Sequence, residues 1–443
     1  MTTISLRPAL QSLPADIPEA EVDRLFSPPL LDALGFQSHD ILSQYPTGDG
    51  KAVDKAARYT DGDDKFLYTK ANPFLLVELK GRDRNLSQGS ADYTKTVLQL
   101  KHYLLAPNCK TVQWGIITNS FHIQLFRKHG KVIYPATQCL QLTEETIDET
   151  VALMRKKIEN PPKALTVALY NNKGGVGKTT STVNLAAILT FLGKRVLVID
   201  FDPNQQDLTS VLGLPLSEGL VFQALTQREA ELQPTLHTYR FPVKRRNLEL
   251  TFDVVPADKT LDGTDTELSK RVKRDALYRK LEYARQAYDY IFIDSSPNWR
   301  FVSQLAVYAA DVILMPTKHN NLFSLENAAI AIKNYFPSIQ AEKGDGSPIP
   351  LPIFFNGEKI TSPQKTIAQQ EINSIIKTAR KEGIDLIPYF YPRYSTSNKD
   401  LYIHEVPSYA NIAGAAFSRT PAVYRDRSAH EYYKNLAKEY FLQ

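Results

Sequence analysis

Two spacings of apolar residues run along this chain, and they divide it. Ala164–Tyr170 is a short continuous apolar run that predicts a buried strand, whereas Thr180–Leu192 carries apolar residues at helical intervals. Beyond residue 163 such strands and helices alternate, which predicts a parallel sheet with helices on both faces. Earlier in the chain, Asn72–Lys80 predicts an apolar strand ending in Glu-x-Lys, and Ala52-Val53-Asp54 a neighbouring strand. A helix is expected over Glu144–Ile158; Pro161 and Pro162 forbid its continuation and stiffen the link that follows. These breaks predict one domain over 1–160 and a second over 163–443. Ala341–Pro352, rich in Gly, Pro and charged residues, reads as a long exposed loop.

Between the strand at 164–170 and the helix from 180 lies Asn171-Asn172-Lys173-Gly174-Gly175-Val176-Gly177-Lys178-Thr179-Thr180. Glycines at 174, 175 and 177 let backbone N–H groups close around phosphate oxygens. Lys178 adds a point charge and Thr179 a hydroxyl for Mg²⁺. The loop opens onto a helix N-terminus, which favours anions. Asn172 stands where the ordinary P-loop has glycine, and Lys173 is an extra cation beside it. The candidate nucleotide contacts are therefore Lys173, Gly174, Gly175, Val176, Gly177, Lys178, Thr179 and Thr180.

Composition narrows the picture. The hydrophobic fraction of 43% and charged fraction of 23% are those of a globular protein. Cys109 and Cys139 lack metal-ligand spacing, so a cytoplasmic, reducing setting is expected. No apolar run approaches the length of a membrane span, and the last helix mixes Glu431, Lys434, Lys438 and Glu439 on its polar side, so no membrane partner is expected. Residues 1–162 balance their charges, so the net +5 lies in the C-terminal part. Its basic clusters are Lys244-Arg245-Arg246, the 270–280 stretch, and Arg419, Arg425 and Arg427. They read either as solvated helix faces or as sites for DNA phosphates.

The N-terminal domain holds a second constellation. Period two places Glu78 and Lys80 on one face of a strand end, and Asp54 precedes them by 24 residues. Two carboxylates on adjacent strands suit Mg²⁺, and a nearby lysine can orient an attacking water. A surface ion pair is the plainer reading. Gln99 and Tyr103, four apart on an expected helix, share a face.

The glycine loop, with the blocks after it, resembles the partition and septum-positioning ATPases, the ParA/MinD family of deviant Walker P-loop proteins. Lys173 matches that family's extra lysine. Val196–Pro203 is similar to its strand ending in Asp-x-Asp-Pro, Tyr288–Pro297 to its Walker B strand, Ala310–Thr317 to the next strand, and Tyr432–Tyr440 to its final helix. Asn204-Gln205-Gln206-Asp207 departs from the family's Gln-Gly-Asn and is one residue longer. The resemblance implies ATP and Mg²⁺ as cofactors. It implies that Thr179 and Asp294 hold the metal, that Asp202 orients water, and that Asp200 fixes the loop. It further implies that Lys173 reaches the nucleotide of a second copy, so that ATP binding makes a homodimer that binds DNA non-specifically. Asn356 stands where the family often reads adenine; a turn-forming Asn-Gly is the alternative.

Residues 15–135 resemble the nuclease domain of type I restriction R subunits, through Glu21–Phe26, Pro29–Phe36, Asp54, Glu78-x-Lys80, Gln99-x₃-Tyr103 and Trp114–Asn119. That resemblance implies a PD-(D/E)xK fold with Asp54 and Glu78 as metal ligands and Lys80 as catalytic lysine. The fold class expected is thus α/β: a P-loop NTPase with a mostly parallel sheet flanked by helices, preceded by a smaller α/β restriction-endonuclease-like domain. The function expected is a nucleoid- or plasmid-associated ATPase switch that positions a nuclease-like domain on DNA, in plasmid maintenance or defence against foreign DNA. The alternative is a partition ATPase, with a ParB-like regulator, whose N-terminal domain is a non-cleaving adaptor.

Overall fold

The computed structural model describes residues 5–243, 248–357 and 360–443, so the Lys244-Arg245-Arg246 cluster lies outside the described residues. The chain packs as two compact units. One comprises the residues up to Pro161 with Gly344–Gly346 and Phe441–Gln443, the other Pro162–Lys343 with Ser347–Tyr440.

The first unit is built on a mixed sheet with the strand order Ile41–Pro46, Ala52–Ala57, Leu75–Leu79, Trp114–Thr118, His122–His129, Val132–Pro135. Neighbours are antiparallel except Leu75–Leu79 and Trp114–Thr118, which run parallel. A parallel pair needs a crossover, and the helix Ala91–Leu104 supplies it. Ser90 caps that helix by accepting a hydrogen bond from the Tyr93 N–H. Every residue of Leu75–Leu79 is buried, because both faces are covered. Leu75, Val77 and Leu79 enter one core, while Leu76 enters the other with Leu100, Tyr103 and Leu104 of the crossover helix. Each fully buried aliphatic side chain of this kind contributes about 1.5–3 kcal/mol. Glu78 alternates with the first set and so points to the helix-covered side.

The second unit has a sheet ordered His237–Val243, Leu248–Val255, Val196–Phe201, Tyr290–Ser295, Leu165–Leu169, Val312–Leu314, Ile349–Pro350. It is parallel except for the antiparallel hairpin formed by the first two strands at one edge. The expected mostly parallel sheet is thus mixed. The strand Leu165–Leu169 pairs on both sides and is buried throughout. A small parallel sheet of Pro316–Thr317, Phe354–Asn356 and His404–Val406 stands beside it in the same unit.

The expected loop over Ala341–Pro352 is only partly a loop. The helix Phe336–Lys343 runs into it, and Ile349–Pro350 closes the sheet edge against Val312–Leu314. Ser347, Pro348 and Pro350 are buried there, and Ile349–Pro350 supplies the second backbone partner of Val312–Leu314, whose other side pairs with Leu165–Leu169. The last helix starts earlier than expected and spans Arg427–Tyr440, burying Ala429, Tyr433, Leu436, Ala437 and Tyr440. Among the described residues no helix is long and apolar enough to cross a membrane.

Candidate nucleotide-binding site

The glycine loop emerges from the centre of the second unit's sheet, and its entry is fixed by a buried amide. Asn171 donates through Nδ2 to the carbonyls of Pro316 at 3.0 Å and Ser324 at 3.1 Å, and its Oδ1 accepts the Lys173 N–H at 3.0 Å. That single side chain ties the loop to two later segments. Gly174 and Gly175 are exposed, and the space a Cβ would take at either is open. Gly177 is different. Its φ of +89° belongs to the left-handed region, and a Cβ there would run into the Asn356 amide.

The helix Lys178–Phe191 begins at the loop's end and is buried on nearly all sides. Lys178 folds back over the loop, with Nζ 3.4 Å from the carbonyls of Asn171 and Lys173. Burial lowers its pKa, and the charges of Asp294 and Asp202 oppose that shift. Thr179 donates to Asp294 Oδ2 at 2.6 Å, while Asp294 Oδ1 is buried without a hydrogen-bond partner. Burial, with the neighbouring charge of Asp200, pushes the Asp294 carboxyl well above the usual carboxylate range. A buried carboxylate oxygen left bare beside a threonine hydroxyl fits a hard divalent cation. Mg²⁺ uses one or two protein oxygens and completes its shell with water and phosphate. Thr180 lies in the same first turn, partly exposed.

The strand Val196–Phe201 delivers two more carboxylates. Asp200 accepts the Thr209 N–H at 2.8 Å and the Thr209 hydroxyl at 2.7 Å, and burial raises it to about 6. It is consumed in holding the following turn. Asp202 accepts the N–H groups of Asn204 at 3.3 Å and Gln205 at 3.2 Å, and burial raises it too. The extra residue in this segment is taken up by Gln206 at φ +55°, just before the helix Asp207–Leu212.

Lys173 is half-exposed, and its ammonium makes no hydrogen bond or ion pair among the described residues. Asn356 ends its strand facing the loop, donating to the Val176 carbonyl at 3.0 Å. In this structure its amide braces the loop backbone.

In this unit three features escaped the reading of the sequence. The Asn171 brace is invisible because its partners lie 145 and 153 residues away. Thr209 holds Asp200 from a position no motif marks. After the Walker B strand, Asn298 adopts φ +76° and sets Trp299 against Tyr335, rings parallel at 4.6 Å. Tyr335 closes a π-helical turn, Ala331–Tyr335, of a kind often found at functional positions.

The first unit also gathers the side chains expected of it. Asp54 accepts the Leu79 N–H at 2.8 Å and the Gln44 amide at 3.2 Å. Lys80 donates to Glu78 Oε1 at 2.6 Å and to the Leu79 carbonyl at 2.7 Å. Burial, then the charge of Asp54, raises Glu78 to about 7. Burial alone would lower Lys80, but Glu78 and Glu19 hold it above its ordinary value. Gln99 donates to the Tyr103 hydroxyl at 3.0 Å, so these two share a face. Glu19, whose Oε2 is 3.4 Å from Lys80, joins the group from a helix 61 residues earlier and was not foreseen. Among the described residues no group of three or more His, Cys, Asp or Glu side chains is arranged to hold a metal ion.

Residues 164–343 match the family model described as "AAA domain". The chain is 38% identical over 155 residues to the sporulation initiation inhibitor protein Soj of Bacillus subtilis, covering 34% of this chain and 57% of that protein. It is 35% identical over 173 residues to the chromosome partitioning protein ParA of Caulobacter vibrioides, covering 38% and 60%. The matched segment therefore spans less than two thirds of these relatives. Among solved structures, apo McdA of Cyanothece superposes with a TM-score of 0.47 at 18% identity, over 62% of this chain and 98% of that one. With the loop geometry above, these matches make residues 164–343 similar in sequence to chromosome-partitioning proteins around a glycine loop of P-loop form.

Proposed function

We propose that this chain is a partition-type ATPase: it binds Mg·ATP at the glycine loop, dimerises on binding, and holds DNA non-specifically until hydrolysis releases the dimer. The observation that carries this reading is the pair of lysines around one glycine loop. Lys178 is folded into the loop, whereas the Lys173 ammonium has no ion-pair partner among the described residues. In the proposed cycle the loop N–H groups and Lys178 neutralise the β- and γ-phosphates. Thr179 and Asp294 hold Mg²⁺, which supplies charge neutralisation at the phosphates. Asp202 orients the attacking water. Lys173 extends to the nucleotide of a second copy, so loss of the γ-phosphate removes a contact across the interface. Asn356 serves the base or the loop. The setting is cytoplasmic, on nucleoid or plasmid DNA, with a ParB-like protein as regulator. The N-terminal unit, 1–160, acts as an adaptor for DNA or protein beside the ATPase region, 163–443.

Size-exclusion chromatography with light scattering tests this. Wild type is expected to dimerise with Mg·ATP, while Lys178→Ala and Lys173→Ala remain monomeric; equal dimerisation of all three sinks the switch.

One observation favours a second reading, in which the N-terminal unit is a Mg²⁺-dependent nuclease positioned by the ATPase. Asp54, Glu78 and Lys80 converge on two interior strands of a mixed sheet, and Tyr103, bonded to Gln99, is near enough to feel their charges. Here Asp54 and Glu78 would ligate the metal and Lys80 would handle the proton of the attacking water. Plasmid nicking with Mg²⁺ or Mn²⁺, lost in Glu78→Ala and Lys80→Ala, supports it. Intact plasmid with wild type under every metal leaves the adaptor.

A further inference from the structure

The basic stretch at 270–280 is sorted by the fold into charges that are cancelled and charges that are not. Arg274 turns aside and pairs with Glu342. Arg271 lies over the ring of Phe222, 4.5 Å from its centroid, a contact that fixes a guanidinium without neutralising it. Lys280 donates to the carbonyls of Arg228 at 2.7 Å and Ala230 at 2.5 Å, so its charge too is held in place by neutral partners. Those bonds also set the loop that carries Arg228. Arg279 has one carboxylate, Asp275 at 3.1 Å, and is exposed.

Arg228, Arg271, Lys273, Arg279 and Lys280 line one cavity of about 560 Å³, with Glu231 as the single acidic side chain in its wall. That volume is within the range of roughly 300–1,000 Å³ of small-molecule sites. Arg228 is almost fully exposed and lies 4.0 Å from Glu229, and Arg279 faces Asp275, so these two are partly offset; Arg271, Lys273 and Lys280 leave a net positive concavity whose repulsion is relieved when a multivalent anion enters. None of these residues belongs to the glycine loop or its carboxylates.

We infer that this cavity is a second anion site, separate from the glycine loop, which takes a compact oligophosphate such as an inorganic triphosphate chain or the phosphate end of a nucleotide. Arg228, Arg271, Lys273 and Arg279 contact the phosphates, and Lys280 is a positioning residue for the Arg228 loop. A duplex is a convex rod and meets flat or protruding cationic surface. A recess of this size suits a short chain of tetrahedral phosphates, with the planar guanidinium groups bonding two oxygens at once.

The test uses the full chain carrying Lys178→Ala, which cripples the glycine loop, titrated calorimetrically with inorganic tripolyphosphate and, in a parallel arm, with GTP. Binding of tripolyphosphate is expected, weakened at least 10-fold when Arg271→Gln and Arg279→Gln are added. Tighter GTP than tripolyphosphate assigns the nucleotide as source, and the reverse order assigns the free chain. Arg274→Gln in the same background is the control and should change affinity less than twofold. No binding, equal binding with and without the pocket substitutions, or an equal loss with Arg274→Gln overturns the inference. So does tighter binding of a single-stranded 20-mer through the same residues. If the double variant does not fold, exposed Lys273→Ala replaces it, with a loss of three- to fivefold expected and no loss overturning the site.

Discussion

Two buried acidic sites of this molecule, one in each unit, handle charge in opposite ways. In the first unit, Glu78 is answered by Lys80, Lys80 by Glu19, and Asp54 by a backbone N–H and an amide. In the second, Asp294 keeps one buried oxygen bare, and among the described residues Lys178 is bonded only to carbonyls. The first network satisfies its hydrogen bonds without a ligand, although burial still raises Glu78 to about 7, and it serves structure or chemistry alike. An open one carries a desolvation cost that only a ligand offsets. The contrast explains why the glycine-loop site argues for a ligand by itself, while the Asp54 group needs a cleavage assay.

Several substitutions bear on that contrast. The largest effect is expected from Gly177→Ala, which combines a left-handed backbone with a collision against Asn356; ATP turnover should fall more than 100-fold, read by phosphate release. Asp294→Asn comes next. It removes a carboxylate whose ionisation is penalised by burial, so without nucleotide the melting temperature should hold or rise while Mg·ATP no longer raises it. A drop of several degrees in the nucleotide-free protein would show that the site is closed after all.

Glu78 gives a pH signature. Its folded pKa of about 7 exceeds the ordinary 4.5, so the native state binds the extra proton. Stability from this group is full below about pH 4.5 and declines as pH rises through 7. Glu78→Gln should flatten that decline, with a gain of about 1–3 kcal/mol at pH 8 in urea unfolding. An unchanged slope would mean the Lys80 pair fully compensates the burial. The smallest expected signal is optical. Trp114 is buried in the N-terminal sheet, and Trp299 stacks on Tyr335 just after the Walker B strand. Mg·ATP should change tryptophan emission by roughly a tenth or more if that stack moves with the site, and Trp299→Phe should remove the change.

Much of the frame was legible because it rests on short-range pattern. A strand buried on both faces must be apolar throughout, and Leu165–Leu169 is. The glycine loop is a local requirement of phosphate geometry, and period two placed Glu78 with Lys80. What stayed hidden depends on tertiary partners. Nothing near Asn171 says that it will tie down Pro316 and Ser324, nothing near Glu19 points to Lys80, and the edge strands His237–Val243 and Leu248–Val255 carry no marker of their antiparallel pairing. The 341–352 segment misled because Gly, Pro and charge suggest exposure, while sheet closure recruits Ile349–Pro350 anyway.

The glycine loop is short, yet its two braces arrive late: Asn171 waits for Pro316 and Ser324, and Val176 waits for Asn356. During synthesis, a ribosome that has just made Val176 still has 180 residues to add before Asn356 can brace it. If the loop binds nucleotide as proposed, capture is expected only once these braces are made, and nascent chains ending short of residue 316 should not be retained on immobilised ATP.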